Sequence, residues 1–362
     1  MRQLKFGSAL LMTMILVGCG GGGTDVSAKP KFTTQVSFGD SLSDVGSYQP
    51  GLIGSLGGGQ FTINAASSVK AFTPTNWTEM TSVKLGIAGG FPCAAITGGF
   101  GAASSVHAGC YGYGEGGARI TSASGVGNVG VGGPMTIPVV TQVATHLAAA
   151  PGNKFSGNEI VYVMAGANDV FTQAGMVSAA LITPASAVQA IQTAATELAT
   201  QINTNILAKG ATHVVVINVP DIASTPQVTS IVNPVAKAQS AGLIDTLVTT
   251  FNSVLKAGVP DSAKVLNVDA YTASKDEVVN PSKYLLSNVT TTACNLDYPA
   301  NLLATSGVPG TGSSLVCNSN NLNGTVQTTS RYLFADKVHP TPYGHLLFAT
   351  YVLQAMTNKG WY

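Results

Sequence analysis

Charge is what this chain has least of. Asp, Glu, Lys and Arg make up 9% of its 362 residues, against roughly 25% in an average soluble domain. Lys and Arg number 17 and Asp and Glu 16, with only three arginines. No basic face is therefore available to neutralise a phosphate backbone, which excludes nucleic-acid binding as a function class. Long hydrophobic runs are also missing, and nothing beyond the N-terminal leader approaches the roughly 18 apolar residues of a membrane span. Cysteine is sparse and never occurs as C-x-x-C, which removes the commonest zinc-ligand spacing. What is plentiful is apolar surface and flexible backbone: 45% of residues are hydrophobic, with 42 Gly and 17 Pro. That content builds a sizeable core and excludes disorder for the bulk of the chain. One elaborated, loop-rich domain is expected.

The N-terminus reads as an export signal. Arg2 and Lys5 precede the apolar run Ala9 to Val17, too short to span a bilayer but suited to a signal-peptide core. Leu16-Val17-Gly18-Cys19 resembles the lipobox of bacterial lipoproteins. The resemblance implies removal of residues 1–18, acylation of Cys19 and a flexible tether over 19–32, followed by the main domain over 33–362. It places the protein on the bacterial cell envelope, at the outer membrane, held by the lipid anchor alone; an ordinary signal peptide would leave it secreted. Cys93, Cys110, Cys294 and Cys317 remain, and four cysteines allow three pairings. In an oxidising compartment Cys93–Cys110 and Cys294–Cys317 are favoured, because each pair lies within one loop-rich segment. Zinc is the alternative, with His107 the one imidazole nearby in sequence.

The remainder alternates strand and helix. Thr33 to Phe38 reads as a short strand, followed by a Gly-, Ser- and Ala-rich stretch to about Gly133 with one helix near Asn76 to Leu85. Pro138 to Ala149 has helical spacing, and Glu159 to Ala165 is a nearly continuous β-prone run, as for a strand covered on both faces. Thr183-Pro184 opens a helix carrying Val188, Ile191, Ala195, Leu198, Ile202 and Ile206, which is expected to stop at Gly210. Strands at His213 to Val219 and Lys264 to Val268 follow, with helices at Pro234 to Lys256 and Pro342 to Met356. This alternation predicts an α/β fold, a three-layer α/β/α arrangement with a mainly parallel central sheet. Ligands in such sheets bind beyond the C-terminal strand ends, so chemistry belongs just after Phe38, Ala165 and Val219.

Three segments carry it. Gly39-Asp40-Ser41-Leu42 puts a serine on the turn leaving a buried strand, where a nucleophile is held rigidly. Gly166-Ala167-Asn168-Asp169 brings an amide side chain to the same rim. Asp336-Lys337-Val338-His339 sets a carboxylate three residues before an imidazole, a spacing that on one helical turn puts both on one face. Asp336 then accepts a hydrogen bond from Nδ1–H of His339 and leaves Nε2 free to take the Ser41 proton. Asp44, Asp169 and Asp221 read as residues that fix loops, and His107, His146, His213 and His345 as structural.

These segments, in this order, resemble the conserved blocks of the GDSL, or SGNH, hydrolase family, and the resemblance spans nearly all of the main domain, with insertions at about 47–115 and 280–329. Phe334 to His345 is similar to the last block of secreted and surface esterases of that family. Tyr113-Gly114-Glu115-Gly116-Gly117-Ala118 resembles the second block, with Gly116 at the oxyanion position and Gly117 as the alternative register. The resemblance implies an SGNH-hydrolase, flavodoxin-like fold and a carboxylic-ester hydrolase, an esterase or lipase, working through an acyl-enzyme on Ser41. His339 is then general base and Asp336 its orienting carboxylate, with Ser41, Gly116 and Asn168 as oxyanion donors and no metal or organic cofactor. The substrate is an ester of a lipid, a small molecule or a polymer. A polysaccharide deacetylase or acyltransferase uses the same site. A non-catalytic envelope lipoprotein that binds glycan or lipid is the competing class.

Overall fold

The computed structural model describes residues 29–66, 73–128, 130, 132–302 and 312–362. The leader, Cys19 and most of the proposed tether lie outside the described residues. The strands are β1 (Thr34–Gly39), β2 (Ile96–Gly99), β3 (Ala102–Val106), β4 (Glu159–Met164), β5 (Val214–Ile217), β6 (Val265–Val268), β7 (Asn288–Thr292) and β8 (Tyr332–Phe334). The longer helices are α1 (Trp77–Leu85), α2 (Val139–Ala149), α3 (Ala167–Ser178), α4 (Pro184–Gln201), α5 (Pro234–Gly258), α6 (Ala270–Val279) and α7 (Pro342–Asn358).

β1, β4, β5 and β6 form one sheet in the order β1-β4-β5-β6, parallel throughout. Side chains alternate across a strand, and here both faces are apolar. Val161, Val163, Val214 and Val216 pack under α2, α4 and α5. Ile160, Tyr162, Met164 and Val215 pack against Trp77 of α1 and Val352 and Met356 of α7. This is the expected three-layer arrangement, and it explains why β4 reads as a nearly continuous β-prone run. Each such side chain contributes about 1.5–3 kcal/mol by leaving water.

The sequence signals mostly fall where they should. Thr183 caps α4 through Ser186 N with Pro184 in the first turn, and Asn76 and Glu79 form a reciprocal cap on α1. The stripe ending at Ile206 is not continuous α-helix, because Ile202–Leu207 is a π-helical turn after α4. The Gly-rich stretch before Gly133 holds the antiparallel hairpin β2–β3, which its composition did not signal. Cys93–Cys110 and Cys294–Cys317 are the disulfides formed. No helix of the described residues is long and apolar enough to cross a membrane.

β1 ends where the chain can pass only as glycine. Gly39 pairs with Met164 across the sheet, and a Cβ there would lie 2.0 Å from the Met164 carbonyl oxygen. Gln142 of α2 closes the same point, accepting from Gly39 N and donating to Gly39 O at 2.9 and 2.8 Å. Gly39→Ala is accordingly expected to lose about 2–5 kcal/mol through overpacking and backbone strain. Urea unfolding of the purified variant checks this, and an unchanged midpoint would refute the close approach.

Candidate active site

The turn after β1 is a single 3-10 turn, Ser41–Ser43, capped by Asp40, whose Oδ1 accepts from Leu42 N at 3.1 Å. It aims Ser41 over the C-terminal rim of the sheet. His339 Nε2 lies 2.8 Å from Ser41 Oγ. On the other side of the ring, His339 Nδ1 is 2.8 Å from Asp336 Oδ2 and 2.9 Å from Oδ1. The three expected residues are thus brought together in a hydrogen-bonded row.

Asp336 and His339 do not share a helical turn, and that expectation is corrected. The segment is a tight loop closed by Ala335 N donating to His339 O at 2.8 Å. Asp336 Oδ1 accepts from Val338 N and His339 N at 2.9 and 2.8 Å. A side chain bonding its own downstream backbone makes the same three-residue spacing work without a helix. Ser314 N completes the shell, donating to Asp336 Oδ2 at 2.8 Å. Burial alone would raise the Asp336 carboxyl. The adjacent His339 charge, its hydrogen bond and these amides outweigh that and hold it well below the usual carboxylate range,.

Ser314 was invisible in the sequence because nothing local marks an amide donor. Its position is set at long range. The Cys294–Cys317 disulfide closes the segment just beyond it, and Asn64 Nδ2 donates to the carbonyls of Leu315 and Cys317. The first long insertion also reaches the triad directly. The Phe61 ring lies 4.9 Å from the His339 ring, and Thr62 Oγ1 donates to Pro340 O at 2.9 Å.

Asn168, in the first turn of α3, is buried, and its Nδ2 donates to Ala118 O at 2.9 Å. That bond orients the amide and leaves its second N–H at the pocket that Asn168 lines,. Gly116 and Gly117 line the same pocket, but they are not equivalent. Gly116 N already donates to Asp44 Oδ2 at 2.9 Å, so the register with Gly116 as oxyanion donor does not fit this geometry. Gly117, at φ +78°, donates to no acceptor among the described residues, and neither does Ser41 N.

The other carboxylates fix loops, as read. Asp44 accepts from Gly46 N, Ser47 N and Ser47 Oγ in addition to Gly116 N. Asp169 pairs with Arg119 Nε at 2.9 Å and Ile120 N at 3.1 Å, tying the second-block loop to α3. Asp221 accepts from Ser224 Oγ and also lines the pocket. His146 is buried among Phe38, Tyr113 and Phe155, and burial lowers it to about 4. His213 packs against Phe32 and Trp361, and His107 meets Thr97 at the surface.

The pocket in front of Ser41 holds about 240 Å³. Tyr48, Phe61, Phe100, Val126, Phe171 and Leu315 supply most of its apolar wall, and no Lys or Arg is among its described lining residues. Asp40 is fully buried at its floor, and burial pushes its carboxyl up to about 6. No cluster of three or more His, Cys, Asp or Glu among the described residues is arranged to hold a metal ion.

Comparison with known proteins gives one family. A model described as GDSL-like lipase/acylhydrolase matches residues 36–352. A solved structure, LAE5, an alpha/beta hydrolase enzyme from the metagenome of Lake Arreo, Spain, is similar at 13% identity and a TM-score of 0.40, covering 92% of this chain and 97% of that one. That level of likeness fixes nothing further about this chain. No curated protein matches it.

Glu115, beside the two glycines, yields a pH prediction. Its Oε1 accepts from Tyr48 Oη and Ile137 N, both at 3.1 Å, and burial pushes the carboxyl from its ordinary 4.5 up to about 8. A raised carboxyl keeps its proton in the folded state after the unfolded chain has released it. Its stabilising contribution is therefore whole below pH 4.5 and declines as pH rises towards about 8,. Glu115→Gln should flatten that decline, by up to about 1.4 kcal/mol per pH unit. Urea midpoints between pH 5 and 8.5 measure it, and an unaltered slope would count against a protonated Glu115.

Proposed function

The chain belongs to the GDSL-like lipase/acylhydrolase family and is an ester hydrolase in the general sense; from that premise we propose that it cleaves carboxylic esters through an acyl-enzyme on Ser41. The single observation that carries this is the row Ser41 Oγ, His339, Asp336, with successive contacts of 2.8 and 2.8 Å. Ser41 Oγ attacks the ester carbonyl while its proton passes to His339 Nε2. Asp336, held ionised by its amide shell, keeps the Nδ1 proton on the far side of the ring and stabilises the imidazolium that forms. The oxyanion is met by Ser41 N–H, the free N–H of the Asn168 amide and Gly117 N–H, which replaces Gly116 in this role because Asp44 occupies the Gly116 amide. The imidazolium then protonates the departing alkoxide. Water, deprotonated by His339, attacks the acyl-enzyme and releases the acid and free Ser41.

The pocket supports a choice among ester classes. Its apolar wall suits an uncharged acyl group of short to medium length. The absence of Lys and Arg from its described lining residues, together with the Asp40 and Asp221 carboxyls, weighs against a phosphate-bearing substrate. The ready-made triad also weighs against a pure glycan or lipid binder, which has no need of a hydroxyl hydrogen-bonded to an imidazole.

We further propose that the protein is exported and acylated at Cys19. The signal-like leader motivates this, and the two disulfides are consistent with an oxidising compartment,. Palmitate labelling of the full chain in cells tests it: label lost in Cys19→Ala supports the anchor, and an unlabelled wild type would end the idea.

For the catalytic proposal, Ser41→Ala is expected to reduce hydrolysis of p-nitrophenyl butyrate to background while circular dichroism and thermal midpoint stay native. Asn168→Ala should lower kcat by roughly 10²- to 10³-fold, and Asp336→Asn by roughly 10⁴-fold through the wrong imidazole tautomer. Full activity in folded Ser41→Ala would overturn the assignment.

A further inference from the structure

Behind the triad lies a second cavity of about 80 Å³. It shares Leu42, Pro220, Asp221, Thr225 and Val338 with the pocket in front of Ser41. Leu42 and Val338 are the chain neighbours of Ser41 and His339, so side chains flanking the reacting groups line both spaces. Met164, Leu333, Phe334 and Phe348 make much of the far wall apolar.

Set in that apolar wall are polar groups that the fold leaves without protein partners. Trp77 Nε1, Asp221 Oδ1 and His345 Nδ1 are buried and make no hydrogen bond, on residues 0%, 4% and 2% exposed. Glu277 of α6 is buried too, and its carboxyl makes no hydrogen bond or ion pair among the described residues. Buried polar groups are ordinarily paired, and each exception calls for a partner the protein itself does not supply.

The chemistry of the set is mixed. Trp77 can only donate. Burial pushes Glu277 up to about 8, so near neutral pH it carries a proton to donate. Burial first, and the His339 charge second, lower His345 to about 3, so its imidazole is neutral near pH 7. One nitrogen of a neutral imidazole donates and the other accepts, so the unpartnered Nδ1 can serve in either role,. Asp221 Oδ1 is an acceptor. Donors at Trp77 and Glu277, an acceptor at Asp221 and a ring nitrogen of either role at His345, with no Lys or Arg among the described wall residues, match a neutral group that both donates and accepts. A hydroxyl is the simplest such group.

We propose that this cavity is a subsite for a hydroxyl group carried by the ester substrate, reached by a short arm that passes Leu42 and Val338 while the ester carbonyl sits at Ser41. The inference rests on the reading of Ser41 as the nucleophile of an ester hydrolase. The cavity admits a few heavy atoms and not a long chain, so the arm belongs to a hydroxyacyl group or to a polyol leaving group.

Two matched pairs separate these sources: p-nitrophenyl 3-hydroxybutyrate against p-nitrophenyl butyrate, and glycerol monobutyrate against propyl butyrate. The wild-type enzyme is expected to prefer the hydroxylated member of one pair about tenfold in kcat/KM, equivalent to about 1.4 kcal/mol. Trp77→Phe, which removes the N–H and keeps an aromatic ring, and Asp221→Asn should each shrink that ratio several-fold. The ratio is read within one enzyme, so a folding defect that scales both esters cancels. Equal kcat/KM within both pairs would overturn the subsite while leaving the ester-hydrolase reading intact. A preference that survives both substitutions would also overturn it, and the cavity would then hold water only. Turnover of none of the four esters would remove the reading of Ser41 and this inference with it.

Discussion

The contact of 2.8 Å between His339 Nε2 and Ser41 Oγ joins residues 298 positions apart, and the rest of the site exists to hold its two ends. One end is fixed by the sheet. Ser41 follows Gly39, which is pressed against Met164 and clamped on both backbone groups by Gln142. The other end is fixed by a loop whose own carboxylate gathers its amides. Asp336 serves in two ways at once, since the oxygens that orient the imidazole also accept from Val338, His339 and Ser314. Moving either end by an ångström breaks a hydrogen bond whose geometry the reaction requires.

Burial raises each of the buried carboxyls around this site, and the groups each one faces decide its net direction,. Asp336 and Asp40 are 3% and 1% exposed. Asp336 is lowered because an imidazole and several amides face it, whereas Asp40, with one amide on Oδ1 and no partner on Oδ2, is raised to about 6. Glu115 and Glu277 follow Asp40, both reaching about 8. In a chain so poor in charge, the carboxylate beside the histidine is kept ionised by the groups that face it, while Asp40, Glu115 and Glu277, with fewer hydrogen bonds, are raised. That contrast matches an active-site carboxylate against carboxyls serving the fold or the pocket.

Much of this was legible in the sequence because the signals were local. The nearly continuous β-prone run at Glu159 to Ala165 pointed to a strand covered on both faces, and Thr183-Pro184 marked a helix start. Strand ends then predicted where Ser41, Asn168 and Asp221 would meet. The failures have a common physical origin. Three-residue spacing between Asp336 and His339 fits a helical turn and an Asp-closed loop equally, and only the surrounding chain decides. The register of Gly116 and Gly117 is set by Asp44, 72 residues away. Ser314 donates a backbone amide, for which no side chain is diagnostic, and the hairpin of β2 and β3 hides in Gly, Ala and Ser that carry no apolar period.

Stoichiometric reaction of the folded protein with a fluorophosphonate, followed by peptide mapping, bears most directly on the central contact. An imidazole that withdraws the serine proton predicts one adduct per chain, at Ser41, formed much more slowly in His339→Ala. An adduct on a different serine, or complete inertness of a natively folded sample, would contradict the account.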